Sequence, residues 1–378
     1  MRGLVLFTFF IIILSCQSGK KEDVLSANLN ETISKNNIKY AEGFTINQFE
    51  GYKLLTIQNA WVGSNTSFKY VLYSNEKPQG IIDAVFIKTP IKSIACMSLT
   101  HVAFIEKLGL ERSIIALSGC DYVSSPTINK RITANSIKEI GQSQSINYEM
   151  LVEENPDFIM GFGIDASSNK TINKMETLGL NVVLNAEYME THPLGKAEWI
   201  KFVAAFYNED EKAAAIFDEI EKEYLSLLDL TQKIKIKPTV FTGMPWNGAW
   251  YVPGAESFQV QLFKDAGASY LWMDSIEKSS LVKSKEIIID EAYDADFWLN
   301  QNSFRDITSI VGFDEKFKGF KAVKNGHLFN NDKRLNDKSG NDYWESGVAN
   351  PHIVLKDLIK IFHPELLTHE LYYYRELK

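Results

Sequence analysis

Residues 146–160 read Ile-Asn-Tyr-Glu-Met-Leu-Val-Glu-Glu-Asn-Pro-Asp-Phe-Ile-Met, and residues 283–299 repeat this pattern as Lys-Ser-Lys-Glu-Ile-Ile-Ile-Asp-Glu-Ala-Tyr-Asp-Ala-Asp-Phe-Trp-Leu. Each stretch predicts a short helix that opens with a glutamate, Glu149 or Glu286, and runs directly into an apolar strand. The long spacing of this repeat indicates two similar α/β lobes. Because ligand pockets prefer domain interfaces, we expect the functional site between the lobes.

Short apolar strands followed by helices occur in both halves of the chain and indicate parallel βαβ units. We expect a first α/β lobe over residues 91–193 and a second over residues 234–378. The connecting residues 194–233 place apolar side chains at helical spacing and predict a long helix between the lobes, with a break near 208–210 left open. The predicted fold class is α/β, with two Rossmann-like lobes joined by a long helix.

Two further segments complete the predicted architecture. Residues 43–90 alternate apolar and polar side chains between turn signals, which predicts a small N-terminal antiparallel β extension. Residues 351–362 have an apolar helical pattern and predict a closing helix in the second lobe. The extension precedes the strand and helix alternation, so we expect it to pack onto the first lobe.

The N-terminal residues predict export. An uncharged apolar run follows Arg2 and is too short to span a bilayer, and Ile13-Leu14-Ser15-Cys16 resembles the lipobox of bacterial lipoproteins. We expect a signal peptide over residues 1–16, lipidation of Cys16 and a polar tether over residues 17–42. An ordinary signal peptide or a buried helix is the alternative. The expected location is the periplasm, anchored to a membrane by lipid, with exposure at the cell surface left open.

The charge and cysteine content narrow the function. A net charge of −8 and a pI near 5.4 argue against nucleic-acid binding, which needs a basic surface. Cys96 and Cys120 lie near the ends of neighbouring predicted strands, so a disulfide and two buried thiols both remain open. The sequence has no CxxC motif and no Cys/His cluster, which argues against a structural zinc site or a redox role. We expect a monomer without a cofactor or a metal site of its own.

A series of short motifs runs in order from about residue 90 to residue 370. They are Ser98-Leu-Thr-His101, Gly141 with Glu149 and Pro156-Asp157, Pro193-Leu-Gly-Lys-Ala-Glu-Trp199, Trp250-Tyr-Val-Pro-Gly254, Leu262-Phe-Lys-Asp-Ala-Gly267, Asp296-Phe-Trp298 and Leu355-Lys-Asp-Leu-Ile-Lys-Ile-Phe-His-Pro364. In this order they resemble the periplasmic substrate-binding proteins of ABC importers for iron-siderophores and cobalamin, which have a rigid interlobe helix. The resemblance implies a non-catalytic receptor that captures a ferric siderophore and hands it to an ABC permease and its ATPase.

The resemblance also implies a role for the two repeated glutamates. In that family, the glutamate that opens the repeated helix of each lobe docks onto arginines of the permease, and the matching positions here are Glu149 and Glu286. Two exposed carboxylates can pair with guanidinium groups and orient the receptor on its partner. The alternative is that both are solvated acids favoured by the dipole at the start of a helix.

Ligand contacts are expected from loops that follow the strands. The candidates are Thr100, His101, Asp121, Tyr122 and 161–163 in the first lobe, and Trp246, Asn247, Trp250, Tyr251, Asn300, Gln301, Arg334, Tyr343 and Trp344 in the second. We predict ligand binding by Thr100, His101, Tyr122, Trp246, Trp250, Tyr251, Arg334, Tyr343 and Trp344. Aromatic walls and a cationic donor suit a large, often anionic ferric siderophore. The alternatives are core packing for each tryptophan, a solvated charge for Arg334 and helix capping for His101.

The sequence leaves one other ligand class and one non-transport role open and disfavours two further functions. Cobalamin or haem would suit the same aromatic cleft, and one His or Tyr could reach its metal. A bare-metal receptor is disfavoured, because the six histidines are scattered without ligand spacing. An enzyme is disfavoured because the sequence lacks a nucleophile elbow, a P-loop, a dinucleotide fingerprint and an HExxH motif. A surface-assembly lipoprotein is the remaining alternative.

Overall fold

The computed structural model describes residues 34–35, 38–142, 145–163 and 168–378. The expected signal peptide over residues 1–16, its lipidated Cys16 and most of the expected tether lie outside the described residues. Within the described part of the chain, no helix has both the length and the apolar composition that a membrane crossing requires.

The N-terminal sheet contains β1 to β5. The strands are β1 Ser34–Lys35, β2 Phe44–Phe49, β3 Tyr52–Gln58, β4 Ser67–Tyr73 and β5 Val85–Lys88, hydrogen-bonded in that order. The first three pairings are antiparallel, but β5 runs parallel to β4. The expectation of a purely antiparallel sheet over 43–90 is therefore wrong at its last strand. Residues 74–84 return the chain to the starting end of β4, which a parallel pairing requires.

The first lobe alternates strands and helices as expected. Its elements are β6 Ile94–Cys96, α1 Leu99–Lys107, β7 Ile114–Leu117, α2 Pro126–Thr133, β8 Lys138–Glu139, α3 Tyr148–Glu154, β9 Phe158–Gly161, α4 Ser168–Thr177 and β10 Val182–Leu184. The sheet has the order β10-β9-β6-β7-β8, and every pairing is parallel. Cys96 and Cys120 are both buried, free thiols in this lobe, so they form no disulfide.

Two helices occupy the stretch expected as one long helix. They are α5 Pro193–Ala205 and α6 Asp210–Thr231, and they pack against each other. Asn208 between them has a φ of 58°, in the left-handed region where helices end. Asp210 and Glu211 then supply acidic side chains at the start of α6, which the helix dipole favours. The stretch 194–233 is therefore helical on both sides of the break near 208–210 that the sequence left open.

The second lobe repeats the parallel core and adds a small separate sheet. Its elements are β11 Thr239–Thr242, β12 Pro245–Trp246, β13 Ala249–Val252, α7 Phe258–Asp265, β14 Ser269–Tyr270, β15 Leu281–Lys283, α8 Lys285–Glu291, β16 Phe297–Leu299, α9 Ile307–Phe313, α10 Lys321–Asn325, β17 Leu328–Asn330, α11 Asp342–Glu345, α12 Pro351–Phe362 and β18 Arg375–Glu376. The main sheet has the order β14-β11-β16-β17-β18, with only its edge strand β18 antiparallel. Strands β12, β13 and β15 form an antiparallel sheet that the sequence pattern did not predict.

The two lobes share one strand order. Without the edge strands β8 and β18, the second, first, third and fourth strands of each main sheet in chain order lie side by side, as β7-β6-β9-β10 and as β14-β11-β16-β17. The repeated helix-then-strand segments are α3 with β9 and α8 with β16, so each repeat supplies the third strand. The prediction of two similar α/β lobes is confirmed.

An aspartate just before each third strand binds the start of the first strand. Asp157 Oδ2 accepts the backbone N–H groups of Lys92 and Ser93 at 2.6 and 2.9 Å. Asp296 Oδ2 accepts the backbone N–H and the hydroxyl of Thr239 at 2.8 and 2.9 Å. Each aspartate N–H donates in return to a hydroxyl, of Ser93 or of Thr239. We call each arrangement a strand clamp, because it fixes the register of two neighbouring strands.

The N-terminal chain is bound to α5. The buried Glu198 carboxylate accepts the backbone N–H groups of residues 39–41, and the Glu190 carboxylate accepts those of Glu42 and Gly43. Both carboxylates are further satisfied, Glu198 by Lys201 and Glu190 by the indole N–H of Trp199. Carboxylates that accept this many hydrogen bonds hold the segment firmly against α5.

Candidate functional site

A cavity of about 210 Å³ lies between the lobes. Its walls come from α1 and the loop after β10 in the first lobe, from the interlobe helix α5, and from α7, α11 and α12 in the second lobe. The lining residues are Thr100, Glu187, Tyr188, Pro193, Lys196, Phe258, Leu262, Tyr343, Trp344, Gly347, Val348, Pro351 and Val354. Such a position at a domain interface is the usual one for a ligand site.

The second lobe supplies an apolar, aromatic wall. Phe258 and Leu262 come from one face of α7, four residues apart. Tyr343 is buried, while Trp344 is 55% exposed, and their rings meet edge to face with centroids 4.8 Å apart. Since Trp344 both lines the cavity and faces solvent, the cavity reaches the surface at this side chain. An aromatic wall of this kind suits a flat or ring-bearing ligand.

The polar groups of the cavity come from α5 and the first lobe. Lys196 is only 7% exposed, and its ammonium donates to the Glu187 carbonyl oxygen at 3.0 Å and lies 4.5 Å from the centre of the Phe258 ring. Burial lowers the pKa of Lys196, against the opposing effect of the Glu187 and Glu190 carboxylates. Burial likewise raises the pKa of Glu187, although Lys196 and the Thr100 hydroxyl act in the other direction.

Three of the predicted ligand residues line this cavity: Thr100, Tyr343 and Trp344. Two others lie in the core, which corrects the sequence prediction for them. The Trp250 indole is fully buried, donates to the Thr242 carbonyl at 2.9 Å and packs against Trp298. The His101 side chain is also fully buried, and burial lowers its pKa to about 3, so the imidazole is neutral.

The remaining four predicted ligand residues lie outside the cavity lining. Tyr122 is exposed in the loop after β7. Trp246 and Tyr251 are 64% and 47% exposed on the β12–β13 hairpin, with ring centroids 6.4 Å apart. Arg334 pairs with Asp342 and stacks over Tyr372 at 4.3 Å. The guanidinium of Arg334 is therefore engaged within the second lobe, and the expected cationic donor has to come from elsewhere.

Sequence reasoning missed Lys196, Glu187 and Phe258. Lys196 lies inside the motif 193–199, which was used for the family resemblance, but no side chain of that motif was predicted to bind a ligand. Nearly every residue of α5 is buried, so the helix has no polar face that would mark one side chain as unusual. The signal that was present is a lysine within an otherwise apolar buried segment, which is rare unless the charge has a partner.

A second contact between the lobes is polar. The Glu345 carboxylate on α11 accepts the backbone N–H groups of Ser124 and Ser125 at 2.6 and 3.1 Å, just before α2. The Asn336 amide donates to the carbonyl groups of Asp121 and Val123 at 2.9 Å each. We call this set of contacts the interlobe latch.

Glu345, within the interlobe latch, has a pKa far from that of an ordinary glutamate. It is only 2% exposed, and burial raises its pKa to about 7, against the lowering effect of the Ser124 and Ser125 N–H groups. The Asp342 and Glu106 carboxylates raise this pKa further. The latch therefore changes its charge near neutral pH.

The two repeated glutamates lie at equivalent places in the two lobes. Glu149 is exposed in the first turn of α3, and Glu286 is exposed in the first turn of α8. Hydrogen bonds at the start of α8, from the backbone N–H of Glu286 itself and from Ser284, lower the pKa of Glu286. Among the described residues, no group of three or more Cys, His, Asp or Glu side chains could hold a metal ion.

Comparisons with known proteins agree with this architecture. Residues 94–335 match the family model described as periplasmic binding protein. An uncharacterized lipoprotein of Methanocaldococcus jannaschii is 30% identical over 289 residues, which is 74% of this chain and 67% of that protein. A possible iron-binding protein of Staphylococcus epidermidis superposes with a TM-score of 0.57 at 18% identity, covering 73% of this chain and 100% of the other. A periplasmic heme-binding protein of Pseudomonas aeruginosa gives 0.58 at 14% identity, covering 76% and 98%.

Proposed function

The chain belongs to the periplasmic binding protein family, and from this premise we propose that it captures a ferric siderophore between its lobes and delivers it to an ABC permease. The family is one of binding proteins, which agrees with the expectation that the chain is not an enzyme. The observation that carries the proposal is the interlobe cavity, with its aromatic wall and its buried ammonium.

The size of the cavity suggests how such a ligand would be held. Sites for whole drug-sized ligands have volumes of about 300–1,000 Å³, whereas this cavity has about 210 Å³. We therefore propose that the cavity takes one arm of the chelate, while the metal-bearing body rests outside it against Trp344. The solvent-exposed face of Trp344 offers apolar surface for that contact.

Haem or cobalamin is the second candidate ligand. The observation that favours it is the largely apolar lining of the cavity, with Phe258, Tyr343 and Trp344 on one wall. A flat macrocycle stacks well on aromatic rings, and its side chains could enter the cavity as a siderophore arm would. The Pseudomonas aeruginosa protein of similar fold is named for haem binding, which supports testing this ligand alongside siderophores.

Delivery is proposed to use the two exposed glutamates. Glu149 and Glu286 occupy matching first turns in the two lobes, so together they can meet two arginine sites on a permease and fix the orientation of the receptor. We propose that the receptor works as a monomer, held to the membrane through a lipid on Cys16. The lipoprotein name of the Methanocaldococcus jannaschii relative supports the anchor.

The test is native mass spectrometry of the full-length chain in detergent with a panel of ferric siderophores, cobalamin and haem. We expect a one-to-one complex with a ferric siderophore, weakened in Trp344→Ala and unchanged in Trp246→Ala, because Trp246 does not line the cavity. Selective retention of haem or cobalamin would move the function to the second candidate. Absence of binding by every member of the panel would overturn both and favour a surface-assembly role.

A further inference from the structure

Lys196 is a charged side chain in a place where an uncharged one would be expected. It belongs to α5, in which nearly every residue is buried, and it is itself only 7% exposed. A buried ammonium is strongly unfavourable unless a counter-charge or several hydrogen bonds compensate for the lost hydration. The contacts around Lys196 therefore show how far the chain itself compensates this charge.

The chain itself compensates the charge only in part. An ammonium has three N–H donors, and the Lys196 group uses one on the Glu187 carbonyl oxygen and directs charge at the Phe258 ring. Among the described residues, no carboxylate oxygen lies within 4.0 Å of it. The carboxylate of Glu190 is already occupied by the N–H groups of Glu42, Gly43 and Trp199. Donor capacity and positive charge are thus left facing the cavity that Lys196 lines.

The rest of the cavity limits the shape of the complementary group. Phe258, Leu262, Tyr343 and Trp344 form an apolar wall next to the ammonium, and the Thr100 hydroxyl lies at the polar end. An apolar cavity of about 150 Å³ can hold one benzene ring. A volume of about 210 Å³ therefore has room for one ring that carries a small charged group.

We propose that the cavity binds a ring-bearing arm of the ligand that ends in a carboxylate, with the carboxylate oxygens accepting hydrogen bonds from Lys196 and the ring packing against Phe258 and Trp344. This inference rests on the proposed function and names the chemical class of its ligand. Planar carboxylates and ammonium groups form charge-assisted hydrogen bonds that are about twice as strong as neutral ones. An amide or alcohol in the same place would add no counter-charge for the ammonium.

The directions of the pKa shifts of Glu187 and Lys196 favour binding of an anion in the cavity. Burial raises the pKa of Glu187, so this carboxyl group competes less for the ammonium than a solvated glutamate would. Burial lowers the pKa of Lys196, and a bound carboxylate would restore the charged form. Binding of the anionic arm should therefore weaken as the pH rises through the lowered pKa of Lys196, while binding of a neutral analogue should not change.

The test uses benzoate and benzamide as matched probes of the full-length chain, measured by isothermal titration calorimetry. We expect benzoate to bind at least about tenfold more tightly than benzamide, because only benzoate compensates the ammonium charge. Lys196→Gln should remove this preference and Lys196→Arg should retain it. Lys264→Gln is the control, because Lys264 also donates to a backbone carbonyl, that of Ala255, but does not line the cavity.

The outcomes separate this inference from the proposed function. Equal binding of the two probes by the parent chain, or an unchanged preference in Lys196→Gln, would overturn the inference, even if a ferric siderophore binds. A benzoate preference that depends on Lys196 would support it, even if the siderophore panel fails. If Lys196→Gln does not fold, the pH titration of the parent decides, since a benzoate affinity that does not fall with rising pH would overturn the inference.

Discussion

The two lobes use the same strand clamp but build it differently. In the first lobe, Asp157 is exposed, and its carboxylate accepts the backbone N–H groups at the start of the neighbouring strand. In the second lobe, Asp296 is half-buried and also pairs with Lys321 at 2.7 Å. Partial burial tends to raise the pKa of Asp296, but Lys321 and Thr239 outweigh it and lower the pKa. The repeat therefore preserves the hydrogen bonds between the two strands. The burial of the aspartate sets how much these hydrogen bonds contribute to stability.

Burial also divides the aromatic rings of the second lobe into core residues and residues that face solvent or the cavity. Aromatic rings in the second lobe divide into a buried stack, which includes Phe241, Trp250 and Trp298, and the exposed or cavity-lining rings Trp246 and Trp344. The first lobe contributes Thr100, Glu187 and Tyr188 to the cavity, and each of these side chains carries a polar group. The two lobes therefore line the cavity differently, with polar side chains on one side and an apolar, aromatic wall on the other.

The largest expected effect on stability compares the buried Trp250 with the exposed Trp246. Trp250→Ala should lower the free energy of unfolding by about 3–5 kcal/mol, because it removes a fully buried ring and leaves the Thr242 carbonyl without its donor. Trp246→Ala should change it by less than about 0.5 kcal/mol. Guanidinium denaturation of both variants measures the difference. Similar losses in the two variants would show that Trp246 is also part of the folded core.

The next effect concerns the latch that joins the lobes. Glu345 has a pKa of about 7 in the folded chain in place of the ordinary 4.5, so the folded state binds its proton more tightly than the unfolded state. Stability should therefore fall as the pH rises from about 4.5 to 7, by up to about 3 kcal/mol. Urea denaturation across this range measures the slope.

The matched variant for the latch is Glu345→Gln, which is neutral at every pH. It should lose the part of the slope between pH 4.5 and 7 that Glu345 causes. All other carboxyl groups are unchanged in the variant, so the difference between the two slopes belongs to Glu345. An unchanged slope would contradict the assignment of the pH dependence to Glu345.

A smaller effect compares the two clamps directly. Asp296→Ala should cost about 2 kcal/mol, because it removes two hydrogen bonds from a half-buried carboxylate that also pairs with Lys321. Asp157→Ala should cost about 1 kcal/mol, because its carboxylate is exposed. Equal losses by urea denaturation would contradict the view that burial sets the strength of the clamp.

The smallest effect on stability is expected at the proposed docking residues. Glu149→Lys and Glu286→Lys should leave the denaturation midpoint unchanged, because both side chains are exposed. Ligand binding should also persist, while permease-dependent uptake falls at least about tenfold in the double variant. Each single reversal shows whether the two lobes contribute equally. Unchanged uptake in the double variant would contradict the proposal that Glu149 and Glu286 dock onto the permease.

The two lobes and the closing helix were predictable because the sequence patterns that indicate them are local. The periodicity of residues 351–362 predicted α12, and the structure has that helix from Pro351 to Phe362. The repeat around Glu149 and Glu286 predicted two lobes from the change between helical and strand spacing. Pattern spacing of this kind depends on neighbouring residues and needs no knowledge of distant contacts.

The site was less predictable because its signals depend on distant packing. Trp250 and Tyr251 are consecutive in β13 and point to opposite faces, and nothing local tells which face is covered. Lys196 lies on a helix that is buried all round, so its approach to the cavity follows from the placement of α7 and α12. Thr100, Tyr343 and Trp344 were predicted as loop residues, where ligand contacts concentrate. They line the cavity, although the structure places them in the helices α1 and α11.

The binding of residues 39–43 by α5 has a mechanical consequence. Glu198 on α5 and Glu190 just before it fasten the N-terminal chain to the helix that packs against α1 in one lobe and against α7 and α12 in the other. A pull that reaches residues 39–43 is therefore passed to a helix that contacts both lobes, and not to one lobe alone.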